Sequence, residues 1–453
     1  MLRNVHIVRA TVPPPAELRR SRRWFDRTVA CDPVVPHDGR MFAPHYALKN
    51  GHKFPYVLDH SIDGSQLGVY KGSPIGKPKS HGVRLSPVQV LLRAVYYLPA
   101  RRQLRLPALR PCHRMDGTLW LRLRLYNGSS VVTPVRWQLL GPGCPWSFSP
   151  GCRWAGFYAL AEAPPDFDPE APIHGGAAKW KQPVRLPKTT VVPSDPAGKR
   201  AHALAPMYYF ADWRLLVQFL EYWLLNGASK FFLYVHSVTA DVEKLIGFYR
   251  DAAVDVELVD WSVLPKFDRG RVDPNAEIYR AELVTAINDC SLRSRKETEF
   301  VAFFDLGSVT LGLPFYSTVG ELVGALSREH PEVAVFTFLA GMGSWRSNET
   351  HEEARFTQLS EIDFSHLGAI EAEEYLYPPG SMSKLIARPE FLYRTTVYNV
   401  LTLERRSRRV KAKRLLHIEE RGGQRGIVFA DVARVLNVHI RPSDNNRATR
   451  CTD

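Results

Sequence analysis

What this chain lacks narrows the field first. No stretch approaches the roughly 20 consecutive apolar residues that a membrane-spanning helix requires. The longest candidates, 88–98 and 215–225, are short and carry a charged residue each. The basic N-terminus has no apolar segment of the kind a secretory signal needs. Among the six cysteines (Cys31, Cys112, Cys144, Cys152, Cys290, Cys451) there is no Cys-x-x-Cys pair and no Cys/His cluster, which argues against a zinc site. The basic run Arg405, Arg406, Arg408, Arg409, Lys411, Lys413, Arg414 has no aromatic residues interleaved for base stacking, so it is expected to be a solvated loop and nucleic acid is not expected as a partner. A last absence is local. Residues 299–308 read Glu-Phe-Val-Ala-Phe-Phe-Asp-Leu-Gly-Ser, an apolar run ending on one carboxylate, Asp305, with Gly307 and Ser308 where further acids would complete an Asp-x-Asp-type cluster. Such a cluster at a strand end holds a divalent cation against a diphosphate.

What is present fits a globular protein. The 453 residues suffice for two domains, and 45% apolar with 23% charged residues is ordinary globular composition. The 34 prolines and 30 glycines point to a loop-rich, partly β architecture, and a net charge of +14 suits acidic partners such as nucleotide diphosphates, anionic membrane surfaces or acidic glycans. Asn127-Gly-Ser and Asn348-Glu-Thr are glycosylation acceptors if the chain enters the secretory lumen.

Four regions follow along the chain. Residues 1–40, with Pro13-Pro14-Pro15 and Arg19, Arg20, Arg22 and Arg23, read as a basic flexible arm. Residues 41–165 read as a β-rich domain. Within it Leu119, Leu121, Leu123 and Leu125 share one face of a strand and Trp120, Arg122 and Arg124 the other, before a Tyr-Asn-Gly-Ser turn. Residues 166–200, rich in Pro, Asp, Lys and Gly, read as a linker.

From 201 to 445 strands and helices alternate. Trp213, Leu216, Val217, Leu220, Trp223 and Leu224 recur at helical spacing between a capping Asp212 and a stopping Asn226-Gly227. A buried strand follows at 231–235, then a helix capped by Asp241, a strand through Val254, Val256 and Leu258, a helix through Ile278, Ala281, Val284 and Ile287, and a strand at 300–305. That alternation predicts an α/β fold with a mostly parallel sheet flanked by helices. Ligands bind such sheets beyond the carboxyl ends of the strands, where Asp305 sits.

The same residues carry a family likeness. Asp212-Trp213, Phe219-Leu220-Glu221-Tyr222 and the run from Gly227 to Tyr234, followed by Asp273-Pro274-Asn275, Ile278-Tyr279-Arg280 and Ile287-Asn288-Asp289-Cys290, resemble glycosyltransferase family 92. So do Lys384-Leu385-Ile386-Ala387-Arg388-Pro389-Glu390 and Val438-His439-Ile440-Arg441, in the same order. The resemblance implies a GT-A-like domain that moves a hexose, typically galactose from UDP-galactose, onto a glycan hydroxyl of a glycoprotein, with manganese as cofactor. It also implies a Golgi membrane protein; with no apolar span to read, the expectation is either a chain that lacks its anchor or a soluble cytoplasmic protein. The chain departs from the family's Asp-x-Asp-Glu motif at Gly307 and Ser308, and has Tyr398 near an expected histidine.

On this likeness Asp305 contacts the metal or the ribose, with a strand-end cap or salt bridge as the alternative, and His439 is either a further metal ligand or a structural strand residue. Arg280, Asn288 and Asp289 are expected at the nucleotide, with a surface ion pair as the alternative for Arg280. Ser308 reads as a helix cap. An inverting transfer needs a carboxylate base, sought among Glu361, Asp363, Glu371, Glu373 and Glu374. A catalytically degenerate member that binds glycan or nucleotide without turnover is the alternative.

Overall fold

The computed structural model describes residues 83–85, 90–112, 119–145, 152–177, 183–192, 201–207, 210, 213–261, 264–265, 273–279, 282–295, 297–306, 308–311, 318–331, 333–345, 370–372, 377, 380, 383–396, 398–404, 427–429 and 436–441. The arm expected over 1–40, the capping Asp212 and the basic run from Arg405 to Arg414 lie outside these residues.

The first part of the chain is built from short strands: β1 (Val83–Leu85), β2 (Val90–Leu92), β3 (Val95–Leu98), β4 (Gln103–Pro111), β5 (Leu119–Arg124), β6 (Ser130–Pro134), β7 (Arg136–Leu139), β8 (Trp154–Glu162), β9 (His174–Ala177), β10 (Val184–Arg185) and β11 (Thr189–Val191). One sheet runs β1-β2-β4-β3-β11, with β8 paired to β4 and β7 to β8; a second runs β10-β9-β5-β6. β5 shows the period-2 logic: Leu119, Leu121 and Leu123 are buried, while Arg122 and Arg124 are exposed. Their buried faces meet Leu104, Leu106 and Ala108 of β4 in one core. Gly128 takes the positive φ of 83° at the turn after β5, and a disulfide joins Cys112 to Cys144. The stretch 166–200 is more than a linker. It supplies β9, which pairs with β5, and β11, which runs parallel to β3. Strands of two to four residues are too short to show a hydrophobic period, which is why composition alone suggested a connection.

The second part continues with β12 (Ala201–Met207), α1 (Trp213–Leu225), β13 (Ala228–Val235), α2 (Ala240–Asp251), β14 (Val256–Asp260), α3 (Leu283–Ser294), β15 (Phe300–Phe303), β16 (Ser308–Leu311), α4 (Val319–Glu329), β17 (Val335–Phe338), β18 (Ala340–Trp345), β19 (Ile370–Ala372), β20 (Lys384–Ala387), β21 (Leu392–Thr395), β22 (Val400–Leu403), β23 (Ile427–Phe429) and β24 (Leu436–Arg441). The large sheet has the order β14-β13-β12-β15-β20-β17-β23. β14, β13, β12 and β15 are mutually parallel, but β20 pairs antiparallel with both β15 and β17. The architecture is therefore α/β with a mixed sheet. A smaller sheet, β16-β24-β18-β19, stands beside it.

The helices follow the apolar pattern with two shifts. α1 buries Leu216, Val217, Leu220 and Trp223 against the sheet, and Gly227, at φ 90°, ends it. In α2 the N-cap is Thr239, and Asp241 falls in the first turn, where it suits the helix dipole. The helix expected from Ile278 begins only at Leu283, because Glu282 adopts a left-handed φ of 62°. α3 then seats the second part on the first. Tyr96 of β3 donates to Asp289 at 2.7 Å and Tyr158 of β8 to the Asn288 carbonyl at 3.2 Å. No helix among the described residues is long and apolar enough to cross a membrane.

Candidate functional site

Because β12, β13, β14 and β15 run parallel, their carboxyl ends share one edge. β15 delivers Phe304 and Asp305 to it. Phe304 is held between Trp223 of α1, ring centroids 4.8 Å apart, and Phe338 of β17, at 6.4 Å. The residue before Asp305 is thus fixed by packing, which steadies the carboxylate. The Ser308 amide then donates to the Asp305 carbonyl at 2.9 Å, closing a tight turn into β16. Ser308 is buried and opens a strand, so it caps no helix. In register, Ser308 lies opposite His439 of β24, and Met342 of β18 is that residue's neighbour on the other side. The backbone therefore brings the Asp305 turn and the Val438-His439-Ile440-Arg441 segment together.

The antiparallel β20 starts at the same edge. Its first residue, Lys384, pairs in register with Phe338 and places its ammonium on the Asp305 carboxylate. Lys384 is 1% exposed, whereas the Asp305 side chain is 29% exposed. The ammonium also lies 5.6 Å from the centroid of the Tyr398 ring, on whose π face a cation is stabilised. The Gly380 amide donates to Ser383 Oγ at 2.9 Å, with Gly380 at φ 81°, which fixes the loop that feeds Lys384 into the strand.

A second polar group occupies the ends of β13 and β14. His236 follows β13 and is buried, its Nδ1 3.0 Å from Ser237 Oγ. Burial, assisted by the nearby Arg93 charge, pushes it down to about 3, so the ring is neutral at physiological pH. Arg93 itself lies 4.4 Å over the Trp261 ring, and burial lowers it to about 10 against the opposing pull of Asp260, Asp289 and Glu282.

Among the described residues no three His, Cys, Asp or Glu side chains converge on a point. The carboxylate that follows β15, Asp305, is in contact with an ammonium, and a divalent cation there would be repelled by it. Of the two expected ligands, Asp305 is paired with Lys384, and His439 is placed by its strand pairing alone.

The other expected site residues fall elsewhere. Asn288 and Asp289 are each 1% exposed and committed to protein partners. Asn288 donates to the Val284 and Thr395 carbonyls and accepts from the Thr395 amide. Asp289 accepts from Tyr96 at 2.7 Å and Tyr234 at 2.5 Å and pairs with Arg293. Both serve the seam between α3 and the strands packed on it. Arg280, Glu361, Asp363, Glu373 and Glu374 lie outside the described residues, and Glu371 is placed only by the pairing of β19 with β18. Cys290 is a buried free thiol that burial raises, which makes it a packing residue. Lys384, the partner of Asp305, is a side chain that residue patterns alone did not single out. Its signal was a lone cation opening an otherwise apolar strand, Lys-Leu-Ile-Ala.

Comparison with known proteins covers the same region. Residues 200–422 match the family model described as Glycosyltransferase family 92. The chain is 27% identical over 137 residues to the glycosyltransferase family 92 protein F13G3.3 of Caenorhabditis elegans, covering 30% of this chain and 27% of that protein. It is 24% identical over 177 residues to the family 92 protein F59C6.8 of the same organism, covering 36% of this chain and 31% of that one. The chain thus spans about a third or less of the length of these curated relatives.

Proposed function

From a chain whose residues 200–422 form a glycosyltransferase family 92 domain, we propose an enzyme that moves a hexose, galactose, from UDP-galactose to a glycan hydroxyl at the Asp305 edge. The observation that carries this reading is the placement of Asp305. It lies at the carboxyl end of β15, beside the turn that pairs with the His439 strand and opposite the Lys384 that opens β20. In sheets of this kind ligands bind at that edge. The strand order β14-β13-β12-β15, with helices between successive strands, supports a GT-A-like reading of the domain.

The chemistry is one displacement. The acceptor oxygen bonds to the anomeric carbon as the carbon–oxygen bond to the diphosphate breaks, and the departing electron pair stays on the diphosphate. A carboxylate takes the acceptor proton, for which Glu361, Asp363, Glu373 and Glu374 are the proposed candidates. The edge's task is to orient the nucleotide and offset the charge that develops on the leaving group.

A Golgi or other secretory setting is part of the proposal. The Cys112–Cys144 disulfide and the exposed Asn127-Gly-Ser turn both suit an oxidising, glycosylating lumen. A second reading has its own observation. Asp305 is already neutralised by Lys384, and Gly307 and Ser308 bring no further acid, which also suits a protein that binds nucleotide or glycan without turnover.

UDP release from UDP-galactose, measured with the full chain across a panel of glycan acceptors, tests the reading. Acceptor-dependent release that Asp305→Ala abolishes supports the transferase. UDP binding with no release under any acceptor transfers the case to the non-enzymatic reading.

A further inference from the structure

Resting on the secretory setting proposed above, we propose that Asn127 carries an N-linked glycan whose first sugars cover the open edge of β6. Tyr126, Asn127 and Gly128 form the loop between β5 and β6. It is closed by the Gly128 amide on the Leu125 carbonyl and the Leu125 amide on the Ser129 carbonyl, both at 2.9 Å. Tyr126, Asn127, Gly128 and Ser129 are all exposed. Asn127 Oδ1 accepts from the Ser129 amide at 2.9 Å and from Ser129 Oγ at 2.7 Å. Nδ2, the nitrogen that bears the sugar, has no hydrogen-bond partner among the described residues. The donor belongs to the class of lipid-linked oligosaccharyl diphosphates. Nδ2 bonds to the anomeric carbon as the carbon–oxygen bond to the diphosphate breaks; the electron pair leaves with the diphosphate and Nδ2 gives up one proton. Oδ1 takes no part, so both hydrogen bonds to it survive the modification.

The neighbours of Asn127 give the glycan its task. Among the described residues four large apolar side chains are exposed, and three of them belong to this hairpin: Tyr126 at 71%, Val131 at 39% and Val132 at 46%. Among the described residues β6 pairs with β5 alone, so it forms the outer edge of the sheet β10-β9-β5-β6. In register Val131 stands opposite the buried Leu123 and Val132 opposite the exposed Arg122, so the two valines lie on opposite faces of that edge. An exposed apolar edge strand is a template for pairing with another chain, and proteins blunt such edges with charges, proline, bulges or a cover. β6 reads Ser-Val-Val-Thr-Pro, with a proline at its far end and no charge. A glycan is bulky and solubilising, and the loop attaches it at the near end of this strand. At about 3.4 Å per residue Val132 lies roughly 10 Å along the strand from Ser129, within reach of the first sugar rings.

The test expresses the full chain in cultured animal cells and digests it without reduction. Peptide N-glycosidase converts a sugar-bearing asparagine to aspartate, which mass spectrometry reads at residue 127. The same digest shows whether Cys112 and Cys144 are joined, which reports the compartment independently. The expected result is a sugar at Asn127 on a chain that holds the disulfide. Asn127→Gln should lose that sugar with little change in thermal unfolding. On concentration its apparent mass by light scattering should rise to that of a dimer or larger. Adding Val132→Lys, which charges the bare edge, should return it to the wild-type size. An unmodified Asn127 on a chain with the Cys112–Cys144 bond overturns the glycan and leaves the secretory setting standing. An unmodified Asn127 with both cysteines reduced overturns the two together. A sugar at Asn127 whose loss leaves the size unchanged overturns the cover.

Discussion

Arg105 of β4 and Glu404, just past β22, meet at 2.5 Å across 299 residues of chain, and both are buried. Arg295, at the end of α3, and Arg101 join the same carboxylate, each at 2.8 Å. One glutamate thus ties the first sheet, α3 and the β21–β22 hairpin together. Burial pushes its carboxyl up, but Arg295 and Arg105 outweigh that and hold it below the ordinary 4.5. Glu404→Gln leaves the arginines facing a neutral amide and should cost about 3 kcal/mol or more, the usual result of breaking a buried pair on one side. Urea denaturation at pH 7 measures it. The sign with pH follows from the lowered value. The carboxylate's contribution is complete above about pH 4.5 and fades as pH falls through the depressed folded value. The gap between wild type and variant should therefore narrow in acid.

Glu282 shows the opposite linkage. Its left-handed residue precedes α3, its side chain is buried, and burial raises it to about 7 despite hydrogen bonds from Thr285 and the Gly156 amide. The folded protein therefore holds a proton that the unfolded chain releases near 4.5. Stability from this group is full below pH 4.5 and lost as pH rises through about 7. Glu282→Gln should remove that slope. An unchanged slope in denaturation midpoints between pH 5 and 8 would show that another group carries it.

The elements with a clean period were readable from sequence. α1, the alternation of β5 and the strand leading to Asp305, which ends two residues early at Phe303, stand where apolar spacing put them, because each buries one continuous face. The start of α3 was not readable, since a positive φ at Glu282 reflects tertiary contacts and no local pattern. The strands β9 to β11 hid in a Pro- and Gly-rich stretch because each spans only two to four residues, and β9 and β11 also pair with partners distant in sequence, β5 and β3. At the candidate site Asp305 was legible as the last residue of an apolar run. Its partner Lys384 was not, since a contact over 79 residues depends on the antiparallel insertion of β20. The partners of Asn288 and Asp289 were hidden for a related reason. The family likeness put them at the nucleotide, and here they meet tyrosines and a strand backbone.

Gly156 of β8 sits where its amide reaches Glu282, and a Cβ there would overlap Thr285 Oγ1 and the Glu282 carboxylate. Gly156→Ala must push the start of α3 off β8. A loss of about 1–3 kcal/mol is expected, as for overpacking elsewhere. The pH slope assigned to Glu282 should flatten in the same variant, because the carboxylate is moved out of its buried position. Hydrogen exchange of the α3 amides locates the disturbance. Full protection of α3 with wild-type stability would show that the contact is not needed.

Asp289 provides the sharpest separation of packing from binding. It accepts from Tyr96 of β3 at 2.7 Å and from Tyr234 of β13 at 2.5 Å, and is 1% exposed. If it serves the seam, Tyr96→Phe removes one hydrogen bond to a charged acceptor and should lower stability by about 1.5–3 kcal/mol. Asp289→Asn should cost more, because a neutral amide brings its own donors toward two tyrosine hydroxyls and removes the charge facing Arg293. Neither variant, where folded, should change UDP affinity by more than about twofold, a shift of roughly 0.4 kcal/mol. Paired denaturation and UDP titration read both quantities on one sample. A large fall in UDP affinity with stability intact would return Asp289 to the nucleotide site and count against the structural role that its tyrosine partners give it.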